Sequence, residues 1–236
     1  VENLAKDANC TLLIGAVVKE GDFSYNTISE VSPDSGLNPE RYDKQVLVPF
    51  GEYVPYMFRW IPGLSKMVGP VGNFTSGNHP HIFQIRAKDR KRAVRVGPLI
   101  CYEDIFPFLS RDIVSQEVDF LFVSTNDAWF EREGCTEQHA AHSILRALEL
   151  GRPFLRCGNA GWSGWIDARG IVREVLENEE GSIYFEGAGL FELLLPERNR
   201  TLYVRYGDYF LVVCLSLFSL SYLIKRKRID LNEEYG

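Results

Sequence analysis

Cys101 stands where an apolar segment, RVGPLICYEDIFP (residues 95–107), gives way to a tyrosine and two carboxylates. A thiol with a pKa of about 8.5 is mostly protonated at neutral pH, so it needs a neighbouring base or cation to become a nucleophilic thiolate. Free cysteine is also among the most buried residue types and is commonly inert packing. The segment alone therefore leaves two interpretations of Cys101 open, a nucleophile or a small core hydrophobe.

Metal ions and disulfides have little support in the sequence. The five cysteines are odd in number, widely spaced and without a CxxC pair, which argues against a disulfide framework and a zinc site. His139 and His142 fall on one face of a predicted helix, but two histidines without a third ligand rarely hold a metal. We therefore expect no metal and no cofactor, and the net charge of −6 argues against nucleic-acid binding.

The first hundred residues predict strands separated by loops. Residues 11–18 (TLLIGAVV) and 25–31 (YNTISEV) have strand patterns. Residues 32–44 are punctuated by Pro, Gly and Asn, and they predict turn and loop. Residues 45–55 begin as a strand that breaks at a proline, and residues 81–101 predict two strands joined by a charged turn.

Helices and strands alternate over the following hundred residues. The predicted elements are a helix over 104–118, a strand over 118–127, a helix over 136–153 with Thr136 as its N-cap and Gly151 just past its end, two short strands over 154–172, and strand-like sequence to about residue 205. Strands thus alternate with both helices and hairpins, which predicts a layered α/β domain with a mixed sheet. A length of 236 residues favours one large domain over two.

The C-terminal region differs in composition from the rest of the chain. Residues 209–224 (YFLVVCLSLFSLSYLI) hold no charge, and KRKR follows at once. At about 1.5 Å per residue this run is about 24 Å long, and flanking Tyr, Lys and Arg side chains can extend it towards the ~30 Å hydrocarbon layer. The sequence predicts a globular domain over 1–205, a transmembrane helix over 206–228 and a cytoplasmic tail over 229–236. A buried core helix is the alternative.

Four motifs resemble, in this order, the conserved blocks of the nitrilase (carbon–nitrogen hydrolase) superfamily: YDKQVLVPFGEYVP, GPLICYEDIFP, NDAWF and RALELGRPFLRCGNAGWSGWID. Within the superfamily, LVPFGEYVP together with CYED is most similar to the apolipoprotein N-acyltransferase branch, which the closing apolar segment also fits. The resemblance covers the chain from residue 11. It implies a nitrilase-like α-β-β-α sandwich, N-terminally incomplete, followed by one C-terminal transmembrane helix.

The resemblance also implies roles for individual residues. It implies three catalytic residues, Cys101, Lys44 and Glu52, of which Cys101 is the nucleophile. It also implies three residues of a substrate pocket, Tyr102, Glu103 and Trp129. Without it, Lys44 and Glu52 would be interpreted as solvated loop residues. Asp104 is interpreted instead as an acid that favours the N-terminus of the following helix through the helix dipole.

The implied activity is acyl transfer during lipoprotein maturation. Cys101 would take a fatty acyl chain from a phospholipid as a thioester, with Lys44 stabilising the oxyanion, and pass it to the N-terminal α-amine of a diacylglyceryl-cysteine apolipoprotein. Water must be kept from the thioester, and residues 53–64 (YVPYMFRWIPGL) could form an apolar lip or a packed surface loop. The implied location is the bacterial inner membrane, with the globular domain on the periplasmic side and the C-terminus in the cytoplasm.

The family's general base is a glutamate in a Trp-Pro-Glu-like setting upstream of the lysine, and this sequence has no such motif. Residues 1–9 (VENLAKDAN) predict a helix instead. We therefore expect the C-terminal part of an enzyme, inactive by itself, with a complementing N-terminal chain as a candidate partner. Two alternatives stay open, a nitrilase-type amidase acting on a small amide and a non-catalytic, membrane-anchored binding module.

Overall fold

Two β-sheets form the centre of the protein. The structure, a computed structural model, describes residues 1–58, 60–61, 73–86, 92–128 and 134–234, and of residues 227–234 it describes the backbone alone. One sheet has three strands and the other has six among the described residues. Helices pack on the outer faces, so the layers run helix, sheet, sheet, helix, and the predicted α-β-β-α sandwich is confirmed.

The three-stranded sheet is an antiparallel meander preceded by a short helix. Its elements are α1 (Glu2–Ala8), β1 (Leu12–Glu20), β2 (Phe23–Ser32) and β3 (Gly36–Asp43). The prediction of loop over residues 32–44 was wrong, because β3 occupies most of that segment. Pro39 cannot donate a ladder hydrogen bond, but β3 is an edge strand and tolerates it. Gly36, with φ 73°, supplies the left-handed turn that the sequence signalled.

The six-stranded sheet is mixed, as predicted. Its strands lie in chain order: β4 (Phe83–Ile85), β5 (Val94–Ile100), β6 (Phe120–Asn126), β7 (Phe154–Asn159), β8 (Gly164–Ile166) and β9 (Val172–Val175). The strands β5, β6 and β7 are parallel neighbours, and the other pairings are antiparallel. The carboxyl ends of three buried parallel strands therefore meet at one edge of the sheet.

Two helices connect the parallel strands, α2 (Pro107–Ser115) and α3 (Cys135–Leu150). The predicted helix over 104–118 is shorter than expected, because Phe106 is extended before Pro107, which opens α2 at its first position. The N-cap of α3 is Gly134 and not Thr136, whereas Gly151 ends the helix in the left-handed conformation, as predicted. Gly97 allows α2 to lie close to β5, since a Cβ there would be 2.4 Å from the Ile113 side chain.

Two hydrophobic clusters hold the layers together. The cluster between the sheets contains Ile28, Tyr42, Phe83, Val94, Val96, Ile100 and Phe122. The cluster between the six-stranded sheet and α2 and α3 contains, among others, Leu99, Ile113, Leu121, Val123, Ala147, Leu150 and Phe154. Complete burial of such a side chain contributes about 1.5–3 kcal/mol, so packing on both faces fixes the strand ends that carry the polar residues described below.

Two segments that were predicted to be strands do not form strands. Residues 45–55, all of them described, contain only an isolated bridge between Pro49 and Tyr53. Residues 176–200 are also described throughout, and none of them lies in a helix or strand. After this segment comes α4 (Leu202–Tyr206), whose N-cap Thr201 accepts a hydrogen bond from the Val204 N–H.

The last helix, α5 (Tyr209–Glu234), is long and apolar over most of its described length. The stretch Tyr209–Arg226 has a mean hydropathy of 1.5, and none of it is buried against the rest of the protein. Eighteen residues at about 1.5 Å each give about 27 Å, which is close to the thickness of a bilayer core. The helix therefore has the length and composition of a membrane span, and it is not buried against the other described residues.

Candidate active site

Cys101 directly follows β5 and begins a short 3-10 helix, Cys101–Ile105. Its φ is 55°, in the left-handed region that non-glycine residues rarely occupy. Backbone strain of this kind concentrates at functional sites and persists only where the surroundings enforce it. The turn places the thiol at the carboxyl edge of the parallel strands, beside the end of β6.

The surroundings of Cys101 act on its ionisation in opposite directions. Burial raises the pKa of the thiol above its usual value. The positive charge of Lys44, a hydrogen bond with the Thr125 hydroxyl and the Tyr102 backbone N–H act to lower the pKa, whereas the charge of Asp127 raises it further. Burial prevails, so Cys101 rests as a thiol at neutral pH and needs a proton acceptor before it can attack.

Lys44 and Glu52 form a buried ion pair. The Lys44 Nζ lies 2.9 Å from both oxygens of Glu52, and its side chain is only 1% exposed. Glu52 also accepts hydrogen bonds from the Val48 N–H at 2.8 Å and from the Asn26 amide at 3.2 Å. The ammonium lies 5.0 Å from the centre of the Tyr102 ring. A fixed cation is thus held close enough to Cys101 for its charge to act on the ionisation of the thiol.

Glu103 anchors the loop that carries Lys44. One carboxylate oxygen accepts the backbone N–H groups of Gln45 and Val46, at 2.7 and 3.0 Å. The other accepts the Tyr42 hydroxyl at 2.9 Å and the Ile100 N–H at 2.7 Å. The side chain has no exposed surface, and burial raises its pKa against these hydrogen bonds. Glu103 therefore ties the loop after β3 to the end of β5.

Of the other two expected pocket residues, the structure describes only Tyr102. The Tyr102 ring lies over Lys44, and its hydroxyl donates to the Leu47 carbonyl at 2.5 Å. Trp129 lies outside the described residues, as does part of the predicted lip over 53–64. In the described part of that lip, Tyr56, Met57 and Trp60 are 86%, 68% and 78% exposed. The structure therefore presents large apolar side chains to solvent on the segment that follows Glu52.

Sequence reasoning missed a second polar cluster, which we call the helix cluster: Asp104, Thr125, Asp127, His139, Ser143 and Arg156. Asp104 was interpreted as an acid that favours the N-terminus of the following helix, and it lies in the first turn of the short 3-10 helix that precedes α2. Its side chain is fully buried, and the positive charge of Arg156 holds its pKa down against the effect of burial. The signals were present, since Asp127 directly follows a buried strand and Arg156 interrupts the apolar strand β7.

His139 lies between two carboxylates of the helix cluster. Its Nδ1 is 3.1 Å from Asp127 Oδ1, and its Nε2 is 3.3 Å from Asp104 Oδ1. Burial lowers the pKa of His139, but the contacts with the Asp104 and Asp127 carboxylates outweigh it and raise the pKa to about 8. His142 is only half-buried. Among the described residues, no three His, Cys, Asp or Glu side chains are grouped so that they could hold a metal ion.

Comparison with known proteins shows the family to which the sequence is similar. The sequence profile of the carbon–nitrogen hydrolases matches residues 1–186. An apolipoprotein N-acyltransferase from Geobacter metallireducens is 35% identical over 219 residues, which are 92% of this chain and 40% of that protein. One from Haemophilus influenzae is 36% identical over 178 residues, 73% of this chain and 33% of that protein. The chain thus spans about two fifths or less of the length of these two curated relatives.

Solved structures agree with the fold. An amidase of the nitrilase superfamily from Nesterenkonia matches 74% of this chain and 60% of its own, with a TM-score of 0.54 and 16% sequence identity. A carbon–nitrogen hydrolase from Helicobacter pylori matches the same shares, with a TM-score of 0.53 and 14% identity. At this identity the likeness shows the fold alone. Because the family profile covers most of the sequence, the chain belongs to the carbon–nitrogen hydrolase family.

Proposed function

We propose that the protein takes part in lipoprotein maturation, by transferring a fatty acyl chain from a phospholipid to the N-terminal α-amine of a diacylglyceryl-cysteine apolipoprotein. The observation that carries the proposal is Cys101 on a strained turn beside the buried, carboxylate-bound Lys44. The relatives named apolipoprotein N-acyltransferase, and the apolar helix α5 on the same chain, support this substrate class.

The chemistry consists of two acyl transfers. The Cys101 thiolate adds to the ester carbonyl, the C–O bond breaks, and the alcohol of the lysophospholipid leaves with a proton. The α-amine then adds to the thioester, the C–S bond breaks, the amine loses a proton and the thiolate returns. Each tetrahedral intermediate carries an oxyanion, which the Lys44 ammonium and a backbone N–H at the Cys101 turn stabilise.

Glu52 is a positioning residue in this scheme. Both of its oxygens are occupied by Lys44, and they accept two further hydrogen bonds from Asn26 and Val48. A carboxylate engaged in this way orients the lysine and is poorly placed to remove the thiol proton. In this proposal a complementing N-terminal chain provides the proton acceptor.

The membrane brings both lipid substrates to the site. α5 spans the inner membrane, with the basic end at Lys225 and Arg226 in the cytoplasm and the α/β domain on the periplasmic side. The exposed Tyr56, Met57 and Trp60 form an apolar lip that enters the lipid and keeps water from the thioester. Phe50, whose ring centre lies 5.4 Å from that of Phe58 in a tilted arrangement, supports the same loop.

Trapping of the acyl-enzyme tests the proposal. The full chain, reconstituted in vesicles of a phospholipid with an alkyne-tagged acyl chain, is incubated with and without the N-terminal part of the Geobacter metallireducens relative. We expect a tag on Cys101 only when that part is present, and none in Cys101→Ala. Cys157→Ala, which removes an exposed cysteine within β7, is the matched control and should label normally.

The role of Lys44 has its own measurement. Lys44→Met keeps the length of the side chain but removes the charge, and loss of one oxyanion donor typically slows the reaction at least about a hundredfold. Labelling of Cys101 should slow by that amount. Absence of label under both conditions would contradict acyl transfer and favour the membrane-anchored binding module. Hydrolysis of small amides without any lipid label would favour the amidase.

A further inference from the structure

The helix cluster is connected to Cys101 through one hydroxyl group. Thr125, near the end of β6, follows Ser124, the ladder partner of Ile100, so its hydroxyl lies beside the Cys101 thiol; it donates to Asp127 Oδ1 at 2.8 Å. A threonine hydroxyl has a single proton, so it cannot donate to the carboxylate and to the sulfur at the same time. While Cys101 is a thiol, its S–H can donate to Thr125. A thiolate has no proton, and it needs the hydroxyl proton for itself.

Asp127 is held in place by groups other than Thr125, so it can lose the hydrogen bond from the Thr125 hydroxyl. Its backbone N–H donates to the Asn159 carbonyl at 3.0 Å, which fixes it across the ends of β6 and β7. His139 contacts the same Oδ1 that Thr125 uses, at 3.1 Å. Oδ2 is fully buried and has no hydrogen-bond partner among the described residues, and a Cβ on Gly161 would lie 2.5 Å from it. His139 is thus the group that can keep Asp127 satisfied.

We propose that Thr125 is a positioning residue for Cys101, whose hydroxyl proton points to Asp127 while Cys101 is a thiol and turns to the sulfur when the thiol ionises. His139 then remains as the partner of Asp127. Buried polar groups are costly without partners, and the change of partner leaves neither the sulfur nor the carboxylate without one. The inference rests on the proposed function only in taking Cys101 as the reactive group.

The charges around this unit determine the direction of the effect. Lys44 and Asp127 act on Cys101 with opposite signs, and Asp104, Asp127 and Arg156 surround His139. With a positive His139, the charge of Asp127 is offset and the hydroxyl proton is free to turn. Without that charge, Asp127 holds the proton of Thr125 more tightly, and the thiolate loses a hydrogen bond.

Alkylation of Cys101 by iodoacetamide measures its thiolate directly, without any lipid substrate. The full chain in detergent micelles is labelled between pH 6 and 10, and the peptides are quantified by mass spectrometry, with Cys157 as an internal reference. We expect Thr125→Val to slow alkylation of Cys101 at pH 8 about fivefold, since one hydrogen bond to a charged group is lost. The pH profile should move upwards. Thr125→Ser should restore it.

Two further variants decide between positioning and general packing. His139→Gln, which keeps a hydrogen-bonding group without the charge, should slow alkylation about twofold to threefold. Thr27→Val removes another buried hydroxyl, which donates to the Ala16 carbonyl in the three-stranded sheet, and should leave the Cys101 profile unchanged. A normal profile in Thr125→Val, failure of Thr125→Ser to restore it, or an equal change at Cys157 would each overturn the proposal. Failure of acyl transfer would leave all of these rates unaffected.

Discussion

The two polar clusters beside Cys101 differ in how completely their hydrogen bonds are satisfied. In the loop cluster, made of Tyr42, Lys44, Glu52 and Glu103, all four carboxylate oxygens have partners in protein groups. In the helix cluster, five buried atoms lack a hydrogen bond among the described residues: Asp104 Oδ1, Asp127 Oδ2, His139 Nε2, and Nε and Nη2 of Arg156.

The difference separates two tasks. The loop cluster holds one cation in one place, as a preorganised stabiliser of negative charge must. The helix cluster has spare hydrogen-bonding capacity and two acids that share His139, so partners can be exchanged within it. Such under-satisfied networks are also the more fragile, because removal of one charge leaves others buried and unpaired. Substitutions in the two clusters should therefore have unequal effects on stability.

The largest effect is expected when the charge balance of the helix cluster is broken. Arg156→Met removes a fully buried guanidinium that pairs with Asp104 and also contacts Ser143 at 2.7 Å. A buried carboxylate is left with His139 as its only cationic partner among the described residues. The free energy of unfolding should fall by about 4 kcal/mol, measured by urea denaturation in detergent micelles.

Arg169→Met is the matched control for this substitution. Its side chain is 73% exposed and forms only a long ion pair with Asp167, at 3.6 Å. An exposed pair of this kind contributes at most about 1 kcal/mol. If Arg156→Met cost no more than the control, the helix cluster would not depend on its charge balance, and the contrast between the two clusters would be lost.

A smaller effect is expected from the pH dependence that His139 gives to the stability of the helix cluster. The folded state raises the pKa of His139 to about 8, from a usual value of about 6.5. The native protein thus favours the protonated form, and this stabilisation is complete below about pH 6.5 and is lost as the pH rises through 8. The shift corresponds to about 2 kcal/mol. Urea denaturation at pH 6 and pH 9 should show that loss.

His139→Gln isolates this contribution. The variant should lose the part of the pH dependence that His139 supplies, while every other titratable group is the same in both proteins. The comparison is therefore the difference between the two curves and not either curve alone. Equal slopes in the variant and the parent protein would show that His139 is not protonated between its two acids.

Local patterns in the sequence predicted much of the fold. The strand over 118–127 and the end of α3 at Gly151 follow from an apolar run and from a residue that accepts the left-handed conformation. The strand β3 was missed because Pro39 and Gly36 signal a turn, and only the edge position in the sheet makes a strand of that segment. The strand-like pattern of 176–200 finds no neighbouring strand to pair with.

The candidate site could be predicted only in part. The family resemblance pointed to Cys101, Lys44 and Glu52, and the structure brings a buried Lys44–Glu52 pair next to the thiol. The catalytic roles of the three stay predictions. Arg156 stands out in an apolar strand, but the sequence does not show that it pairs with Asp104, which is far from it along the chain. Only the tertiary structure shows that these charged residues are buried together. For this reason the helix cluster was missed.

The smallest effect is expected in the loop cluster, where the loss of one bond leaves the others in place. Tyr42→Phe removes the hydroxyl that donates to Glu103 but keeps the buried ring, and three backbone N–H groups still bind the carboxylate. A hydrogen bond to a charged group contributes about 1.5 kcal/mol at the lower end of its range, which is the expected loss. Tyr206→Phe, at an exposed ring in α4, is the control.

Hydrogen exchange shows which part of the protein loses stability in Tyr42→Phe. The N–H groups of Gln45 and Val46 depend on Glu103, so they should exchange faster in Tyr42→Phe, while the amides of α3 stay as protected as before. Faster exchange in α3 as well would mean that the two clusters form one cooperative unit. Because Lys44 directly precedes these amides, a change confined to the loop would show that Glu103 holds the cation in place independently of the helix cluster.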